Sequence, residues 1–272
     1  MPNNQSTYVA RPLAGLPLEA ELVAMREILP AAVATLSLAD GSGEVQIVTF
    51  LPGMERAFRR PDGTAVIAMQ PATRSDDLSQ DLGNALVAAL EAEPGQGAEP
   101  RPLGEPGPRL QELVDPAGPT SFELKDSFEF WTDLDPDNQE LADAAVQSAK
   151  ELTPTETVGD ISGAYWAEIN GREFLRWSAG IEEDRLLDAL ARLQAKRQAG
   201  VVEGAKYAGA FRALGLVIPV WELPRGTQAE DLAEPLTEFQ AKLDAALADE
   251  SPLDANERRS RAGLVARFLT LR

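Results

Sequence analysis

Two glutamates in the second half of the chain are spaced for carboxylate chemistry. Glu168 and Glu173 flank Asn170-Gly171, and a two-residue hairpin turn at that dipeptide would place the two carboxylates opposite each other, beside tryptophans. Such a pair can act as general acid and base when one carboxylate raises the pKa of the other, or it can bind Mg²⁺. Two solvated glutamates near a hairpin tip have the same spacing, because like charges there cost little in water. A carboxylate or magnesium-dependent enzyme is therefore one hypothesis among several.

The composition excludes most other catalytic chemistry. The 272 residues contain no histidine and no cysteine. Histidine is the commonest general base near neutral pH and the usual partner of a serine or cysteine nucleophile. Ser-His-Asp and Cys-His mechanisms are therefore excluded, together with the ordinary zinc, haem and copper sites and with disulfides. We predict no cofactor, and we favour a non-enzymatic protein-interaction or regulatory factor over an enzyme.

One acidic run has the beginning of a calcium-binding pattern. Asp133, Asp135 and Asp137 alternate as in a calcium loop, but the sixth and twelfth positions are Asn138 and Ala144. A calcium loop requires glycine and a bidentate glutamate there. The run therefore predicts the acidic N-terminus of a helix, and no metal site.

Arginines dominate the end of the chain, where a single acid, Glu257, accompanies Arg258, Arg259, Arg261, Arg267 and Arg272. Three of them lie near the N-terminus of a predicted helix, where the macrodipole disfavours cations, so an acidic group should compensate. That group is either the acidic surface of the protein itself or a phosphate-bearing partner such as RNA, DNA or the ribosome. The candidate binding residues are Arg258, Arg259, Arg261 and Arg267.

The overall charge restricts the possible partners. A net charge of -19 penalises binding of phosphate backbones by the body of the protein, so nucleic acid could bind only locally, through the C-terminal helix. A protein partner is favoured. No run approaches the roughly 18 apolar residues of a membrane span, and the first residues lack the apolar core of a secretion signal. We expect no membrane contact and a cytoplasmic location.

Two further patterns have a structural interpretation. Lys206 and Arg212 lie between Gly200 and Gly215, but no phosphate-binding glycine motif surrounds them. The aromatic residues of the second half lack interleaved basic residues, so we expect most of them in the core rather than stacked on bases or sugars. They are Phe128, Phe130, Trp131, Tyr165, Trp166, Phe174, Trp177 and Trp221.

Hydrophobic periodicity and turn residues predict alternating helices and strands. In the first half they predict a helix at 17–29, strands at 32–38, 44–51 and 64–70, and a helix capped by Ser75. In the second half they predict strand-like alternation at 122–130, a helix at 136–152, a hairpin of 165–169 with 172–177, and a helix from Glu182. A small-residue stretch at 200–215, a strand at 216–221, a helix behind the capping-box pair Thr227 and Glu230, and a helix after Asp254 complete the chain. Pro219 suggests that strand 216–221 lies at an edge or contains a bulge.

These elements predict an α+β fold with antiparallel or mixed sheets and helices packed on them. Pro and Gly concentrate between Glu93 and Pro108, which predicts a segment joining two halves of similar size. The resulting division is a flexible tail at 1–12, an N-terminal α/β domain at 13–92, a linker at 93–109 and a C-terminal α+β domain at 110–272.

Several strings resemble an actinobacterial protein family of unknown function, some of whose members are loosely labelled as related to translocases or topoisomerases. The strings are Pro154-Thr155-Glu156, Ala164-Tyr165-Trp166, Leu175-Arg176-Trp177, the run from Leu186 to Leu193, the run from Phe211 to Leu216, Pro219-Val220-Trp221, Arg261 to Leu264 and Thr270 to Arg272. Members often carry a Lys/Arg-rich N-terminal extension, which is not found in this sequence. The resemblance implies a bacterial cytoplasmic protein and supplies no active-site residues.

Overall fold

The computed structural model describes residues 8–70 and 74–268. The chain forms two compact units, Met1–Leu152 and Thr153–Arg272. Both combine helices with a mostly antiparallel sheet, which confirms the predicted α+β class. The boundary differs from the predicted one, because the Pro/Gly-rich segment at 93–109 lies inside the first unit.

The first unit is built on a six-stranded sheet with the order β5-β3-β4-β2-β1-β6. Neighbouring strands are antiparallel except β2 and β4, which are parallel. The predicted hairpin at 32–51 is confirmed, with Val33 opposite Val48. In chain order the elements are α1 (Glu19–Glu27), β1 (Ala32–Ser37), β2 (Glu44–Val48), β3 (Ala57–Arg59), β4 (Ala65–Ala68), α2 (Leu78–Glu91), β5 (Gln96–Ala98), α3 (Leu110–Leu113), β6 (Thr120–Leu124) and α4 (Gln139–Ala149).

Helix α2 begins later than predicted. Its N-cap is Asp77, whose carboxylate accepts hydrogen bonds from the backbone N–H groups of Ser79 and Gln80. Ser75, the predicted cap, instead donates its backbone N–H to the carboxylate of Asp81, at 2.7 Å. Serine and aspartate are equally good caps, so composition alone does not distinguish them.

The segment predicted as a linker is held on α2 by hydrogen bonds. Asn84 Nδ2 donates to the carbonyl of Glu105 at 3.2 Å, and Gln80 Nε2 donates to the carbonyl of Gly107 at the same distance. The segment also contributes β5, which pairs with β3. Polar side chains on α2 thus bind a backbone that has few apolar side chains of its own, and the following strand β6 returns to pair with β1.

Two helical glycines should respond in opposite ways to replacement by alanine. A Cβ added at Gly83 in α2 would lie 2.1 Å from the carbonyl oxygen of Pro108, whereas one added at Gly263 meets nothing within 4 Å. Alanine favours a helix over glycine by about 0.5–1 kcal/mol. We expect Gly263→Ala to stabilise its unit by about that amount, and Gly83→Ala to destabilise its unit by about 1–3 kcal/mol because of the overlap. Urea unfolding of the two variants checks the signs, and a stabilised Gly83→Ala would contradict the close contact.

The second unit is a five-stranded antiparallel sheet with the order β10-β11-β9-β8-β7. One face packs against helices to form a core around three tryptophans and Phe239. In chain order the elements are β7 (Thr155–Thr157), β8 (Ala164–Ile169), β9 (Arg172–Trp177), α5 (Glu183–Ala195), β10 (Lys206–Ala213), β11 (Leu216–Glu222), α6 (Ala233–Leu247) and α7 (Ala255–Val265).

The predicted hairpin of β8 and β9 is confirmed. Asn170 and Gly171 both have positive φ, 54° and 70°, as a type I′ turn requires. A second hairpin, β10 with β11, was not predicted, because its strand β10 is rich in alanine and glycine. It turns through Leu214 and Gly215 at φ 47° and 82°.

Of the two alternatives predicted from Pro219, the edge position is wrong and the bulge has a counterpart. Strand β11 is an inner strand, and Pro219 is accommodated because pairing with β9 ends at Val220. The β10–β11 ladder contains a register shift between Tyr207 and Gly209. The capping prediction for the next helix is wrong. Thr227 does not cap α6, because a 3₁₀ turn at 230–232 intervenes before Ala233.

The tryptophans belong to the core, as the sequence predicts for most aromatic residues. All four are buried, and each indole N–H donates to a backbone carbonyl. Trp131 bonds Phe50, Trp166 bonds Thr227, Trp177 bonds Ser162 and Trp221 bonds Ala199, at 2.8–3.1 Å. The aromatic rings therefore fill volume while their polar edges fix the neighbouring loops.

Candidate interaction groove between two helices

Helices α5 and α7 pack side by side in the second unit. Helix α5 buries an apolar stripe that includes Leu186, Leu190 and Leu193, whereas α7 buries only Leu264 among its own residues. Most of the surface of α7 is therefore exposed to solvent. Charged side chains supply much of its attachment to the unit.

The N-terminus of α7 is fixed by a capping box, as predicted for a helix after Asp254. The Asp254 carboxylate accepts from the backbone N–H groups of Asn256 and Glu257, and Glu257 Oε2 accepts from the N–H of Asp254 at 2.8 Å. The hydrogen bond from the backbone N–H of Glu257 is the main cause that lowers the pKa of Asp254. The hydrogen bond from the N–H of Asn256 and the charges of Arg258 and Arg192 lower this pKa further. The single acid of the helix is thus engaged at its first turn.

Arg192 of α5 joins the loop before α7 to α7 itself. Its Nη2 donates to the carbonyls of Asp249 and Ser251 at 3.0 and 2.5 Å, and its Nη1 lies 3.4 Å from Glu257 Oε2. Nη1 also lies 3.3 Å from Asp249 Oδ2, while the Arg192 side chain is only 5% exposed. Arg192 is not among the residues predicted from the sequence, although an arginine inside the leucine-rich stripe of a helix is a detectable signal.

Arg261 is the candidate arginine most firmly bound to the protein. Its Nε donates to Asp188 Oδ1 at 2.6 Å and its Nη2 to Asp184 Oδ1 at 2.5 Å. Asp184 and Asp188 lie four residues apart on α5 and therefore on the same face of that helix. The acidic surface of the protein compensates this arginine, which is one of the two alternatives that the sequence leaves open.

The other candidate arginines have no carboxylate partner among the described residues. Arg258 donates to the carbonyl of Leu253, and Arg259 is exposed with neither an ion pair nor a hydrogen bond there. Arg267 donates to the carbonyl of Tyr207 at 3.2 Å, beside β10. Arg258 and Arg261 line one groove, Arg259 and Arg267 are not among its lining residues, and Arg272 lies outside the described residues.

The surface between the two helices forms an open groove of about 890 Å³, which we call the α5–α7 groove. The carboxylates of its polar lining belong to α5, and the guanidiniums belong to α7. Its apolar lining comes from α7 and from the preceding loop, and Val265 remains 36% exposed there. The lining residues are Asp184, Asp188, Pro252, Leu253, Arg258, Arg261, Ala262, Val265 and Ala266.

The carboxylate pair at the hairpin tip lies where the sequence predicts, with Glu168 opposite Glu173. Glu173 Oε1 accepts a hydrogen bond from the backbone N–H of Gly226 at 2.9 Å, so it stabilises a neighbouring turn. Over residues 8–70 and 74–268, no group of three or more His, Cys, Asp or Glu side chains could hold a metal ion. The pair itself is not joined by further acidic ligands.

The remaining charged candidates have structural contacts. Asn138 caps α4 by accepting from the N–H of Leu141 at 3.1 Å, and Asp133 pairs with Arg60 at 3.1 Å. Arg212 donates to the carboxylate of Glu183 from Nε and Nη2, one edge of its guanidinium, and these hydrogen bonds raise the pKa of Arg212 above its usual range. Lys206 is exposed at the start of β10.

The fold and the groove define a two-unit α+β protein whose second unit is a helix-covered antiparallel sheet. In the part of the chain that the structure describes, no helix is both long enough and apolar enough to span a membrane. The chain belongs to a family of unknown function, DUF5926, whose model matches residues 12–272. This confirms the resemblance to a family without an assigned activity. No curated protein and no solved structure matches the chain.

Proposed function

We propose that this protein is a non-enzymatic protein-interaction factor that binds its partner in the α5–α7 groove. The observation that carries the proposal is the exposed apolar floor of the groove around Val265, bordered by charged groups of both signs. Apolar surface with a polar border is typical of protein-binding sites. The sequence contains no cysteine, which suits a reducing compartment, and we place the protein in the cytoplasm.

The chemistry of the groove supports binding over catalysis. Its two carboxylates both pair with the guanidinium of Arg261, so they already have a partner within the protein. An acid or base that acts on a substrate has to reach the substrate with a hydrogen bond of its own. The groove therefore offers charge and apolar surface, the two components of recognition.

An arginine at the floor of the groove should abolish partner binding. Val265 in α7 and Val146 in α4 are both exposed valines on helices, 36% and 63% accessible, so they form a matched pair. We expect Val265→Arg to lose stoichiometric partners from nuclease-treated lysate of the native cells, because it fills the groove with a charge. We expect Val146→Arg to keep them. Mass spectrometry of the two purifications decides, and equal partner sets would contradict the proposed site.

A second candidate function is local binding of RNA or DNA through α7. The specific observation in its favour is that Arg258 and Arg259 lack carboxylate partners among the residues described. It ranks second because Asp184 and Asp188 line the same groove and would repel phosphate groups.

The salt dependence of RNA binding tests the second candidate. The binding constant falls with salt, so the slope of log K against log salt is negative. If phosphates bind Arg258 and Arg259, replacing both with glutamine should reduce the magnitude of this slope by about 1.4 for single-stranded RNA. The control replaces Arg225 and Lys242, two exposed cations outside the groove. Fluorescence anisotropy with a labelled single-stranded RNA measures both slopes, and identical slopes would exclude binding through α7.

A further inference from the structure

Strand β10 lies at one end of the five-strand order, so one of its two edges faces away from the sheet. The hairpin with β11 defines which backbone groups point to that outer edge. Ala213 and Leu216 close its two-residue turn, and the closing pair of such a turn is hydrogen-bonded across the two strands. Backbone groups alternate in direction along a strand, so those of Phe211 also point to β11, whereas those of Ala210 and Arg212 point to the outer edge.

The chain that follows α7 begins to cover this outer edge. The backbone N–H of Ala210 donates to the carbonyl of Arg267 at 3.4 Å, and Ala210 forms a parallel bridge with Phe268. Arg267 Nη1 also donates to the carbonyl of Tyr207 at 3.2 Å. The guanidinium carbon of Arg212 lies 4.4 Å from the centre of the Phe268 ring. Backbone and side-chain contacts thus hold residues 267–268 parallel to β10.

We propose that residues 269–271 continue this pairing and form a sixth strand along the outer edge of β10. They follow Phe268 directly and lie outside the described residues. An extended chain rises about 3.3 Å per residue, so three residues extend about 10 Å, enough to run from Ala210 to the end of β10 at Ala213. The occupant of the outer edge is therefore the next segment of the same chain, in the register that Ala210 and Phe268 set.

The polar residue of the segment falls on the side of the sheet where a polar residue fits. Ala210 belongs to the core beneath the helices, and Phe268 packs against the same core. Side chains alternate between the two faces, so the register places Thr270 beside Arg212 on the helix side. The side chain of Arg212 is 58% exposed there, so a threonine next to it stays in contact with water.

The two leucines of the segment fall on the opposite face of the sheet. The register places Leu269 beside Phe211. It places Leu271 beside Ala213. Both of these β10 residues are buried, at 4% and 3% exposure, so apolar side chains extend a surface that is already apolar. A shift of one residue would exchange the faces and put Thr270 on the apolar side, which is why the pattern specifies this register.

The sixth strand attaches the end of α7 to the sheet. Helix α7 buries only Leu264 of its own residues, and its first turn is held by the capping box of Asp254. With the strand in place both ends of the helix are held. Exposed strand edges pair readily with other chains, so the segment also prevents a second copy from adding to β10.

Amide hydrogen exchange, followed residue by residue by NMR, tests the pairing in the full-length protein and in a chain that ends at Phe268. In the sixth strand the carbonyl of residue 269 accepts from the N–H of Arg212, whereas the N–H of Phe211 donates to β11 in both chains. We expect the truncation to speed exchange at least tenfold at Arg212 and less than threefold at Phe211. Rapid exchange at Arg212 in the full-length protein, or equal acceleration at both amides, overturns the proposal.

Paired cysteines test the register without truncation, because the sequence contains no cysteine of its own. Arg212→Cys with Thr270→Cys places two thiols side by side on one face, within the distance that a disulfide spans. The matched control, Arg212→Cys with Leu271→Cys, places them on opposite faces. We expect oxidised glutathione to close an intramolecular disulfide at least tenfold faster in the first pair, measured by mass spectrometry of non-reduced peptides. Equal rates mean that the segment has no fixed register and overturn the proposal, and a disulfide between two molecules overturns it by assigning the edge to a second copy.

Discussion

Replacing Arg192 with methionine is expected to destabilise the second unit by about 3–5 kcal/mol. The guanidinium is almost fully buried and holds two backbone carbonyls together with the carboxylates of Asp249 and Glu257. Methionine keeps much of the side-chain volume but leaves these groups without their donor. Because Glu257 also belongs to the capping box of α7, we expect α7 to detach from α5 before the sheet unfolds.

Arg212→Met is the matched control, because Arg212 also pairs with a glutamate, Glu183, through short hydrogen bonds. Its side chain is 58% exposed against 5% for Arg192, so solvent screens the pair. The expected cost is at most about 1 kcal/mol. Urea unfolding followed by hydrogen exchange in peptides from α7 and β9 measures both variants. Similar costs would show that burial of Arg192 is not what makes its contacts important.

The predictable parts of the fold are those specified by local sequence. The Asn170-Gly171 turn fixes its hairpin because both positions need positive φ, and the capping box of α7 lies within four consecutive residues. Strand β10 was not predicted because its three alanines and one glycine lack the β-branched pattern, and its position depends on pairing with β11. A strand whose stability depends on pairing with a neighbouring strand has no strong pattern in its own sequence.

The position of the Pro/Gly-rich segment inside the first unit has a similar cause. Pro and Gly in residues 93–109 indicate a loop, but they do not indicate whether another element binds its backbone. Here the side chains of Gln80 and Asn84 of α2 bind the backbone of the segment. Both residues are polar, so they do not contribute to the hydrophobic pattern that predicts the helix. Long-range partners of backbone groups are not encoded in local composition.

The candidate site was predictable only in part. The sequence singled out the arginines of α7 and required an acidic group to compensate them. It did not indicate that Asp184 and Asp188 bind Arg261 while Arg258 and Arg259 keep carbonyl or solvent contacts. The groove arises from the packing of two helices that are far apart in the chain. Arg261 of α7 contacts Asp188 and Asp184 of α5, which precede it by 73 and 77 residues. Such a tertiary arrangement has no signature in residue spacing.

Replacing Trp221 with alanine should cost the second unit about 3–5 kcal/mol, because it removes the largest side chain at the centre of its core. Trp221 is fully buried, its ring centroid lies 5.7 Å from that of Phe239 and 6.0 Å from that of Tyr207, and its indole N–H donates to Ala199 at 2.9 Å. Neighbouring rings cannot close the resulting cavity without leaving their own positions.

Trp221→Phe separates the two contributions of this residue. Phenylalanine preserves an aromatic ring for the edge-to-face contacts but leaves the carbonyl of Ala199 without its donor, so we expect a cost of about 1–2 kcal/mol beyond the lost volume. Urea midpoints for both variants, with the unfolding slope unchanged, provide the comparison. A phenylalanine variant as unstable as the alanine variant would mean that the hydrogen bond, rather than the ring, holds the 196–205 loop on the core. A phenylalanine variant nearly as stable as the unsubstituted protein would mean that the stability comes mainly from the aromatic cluster between α6 and the sheet.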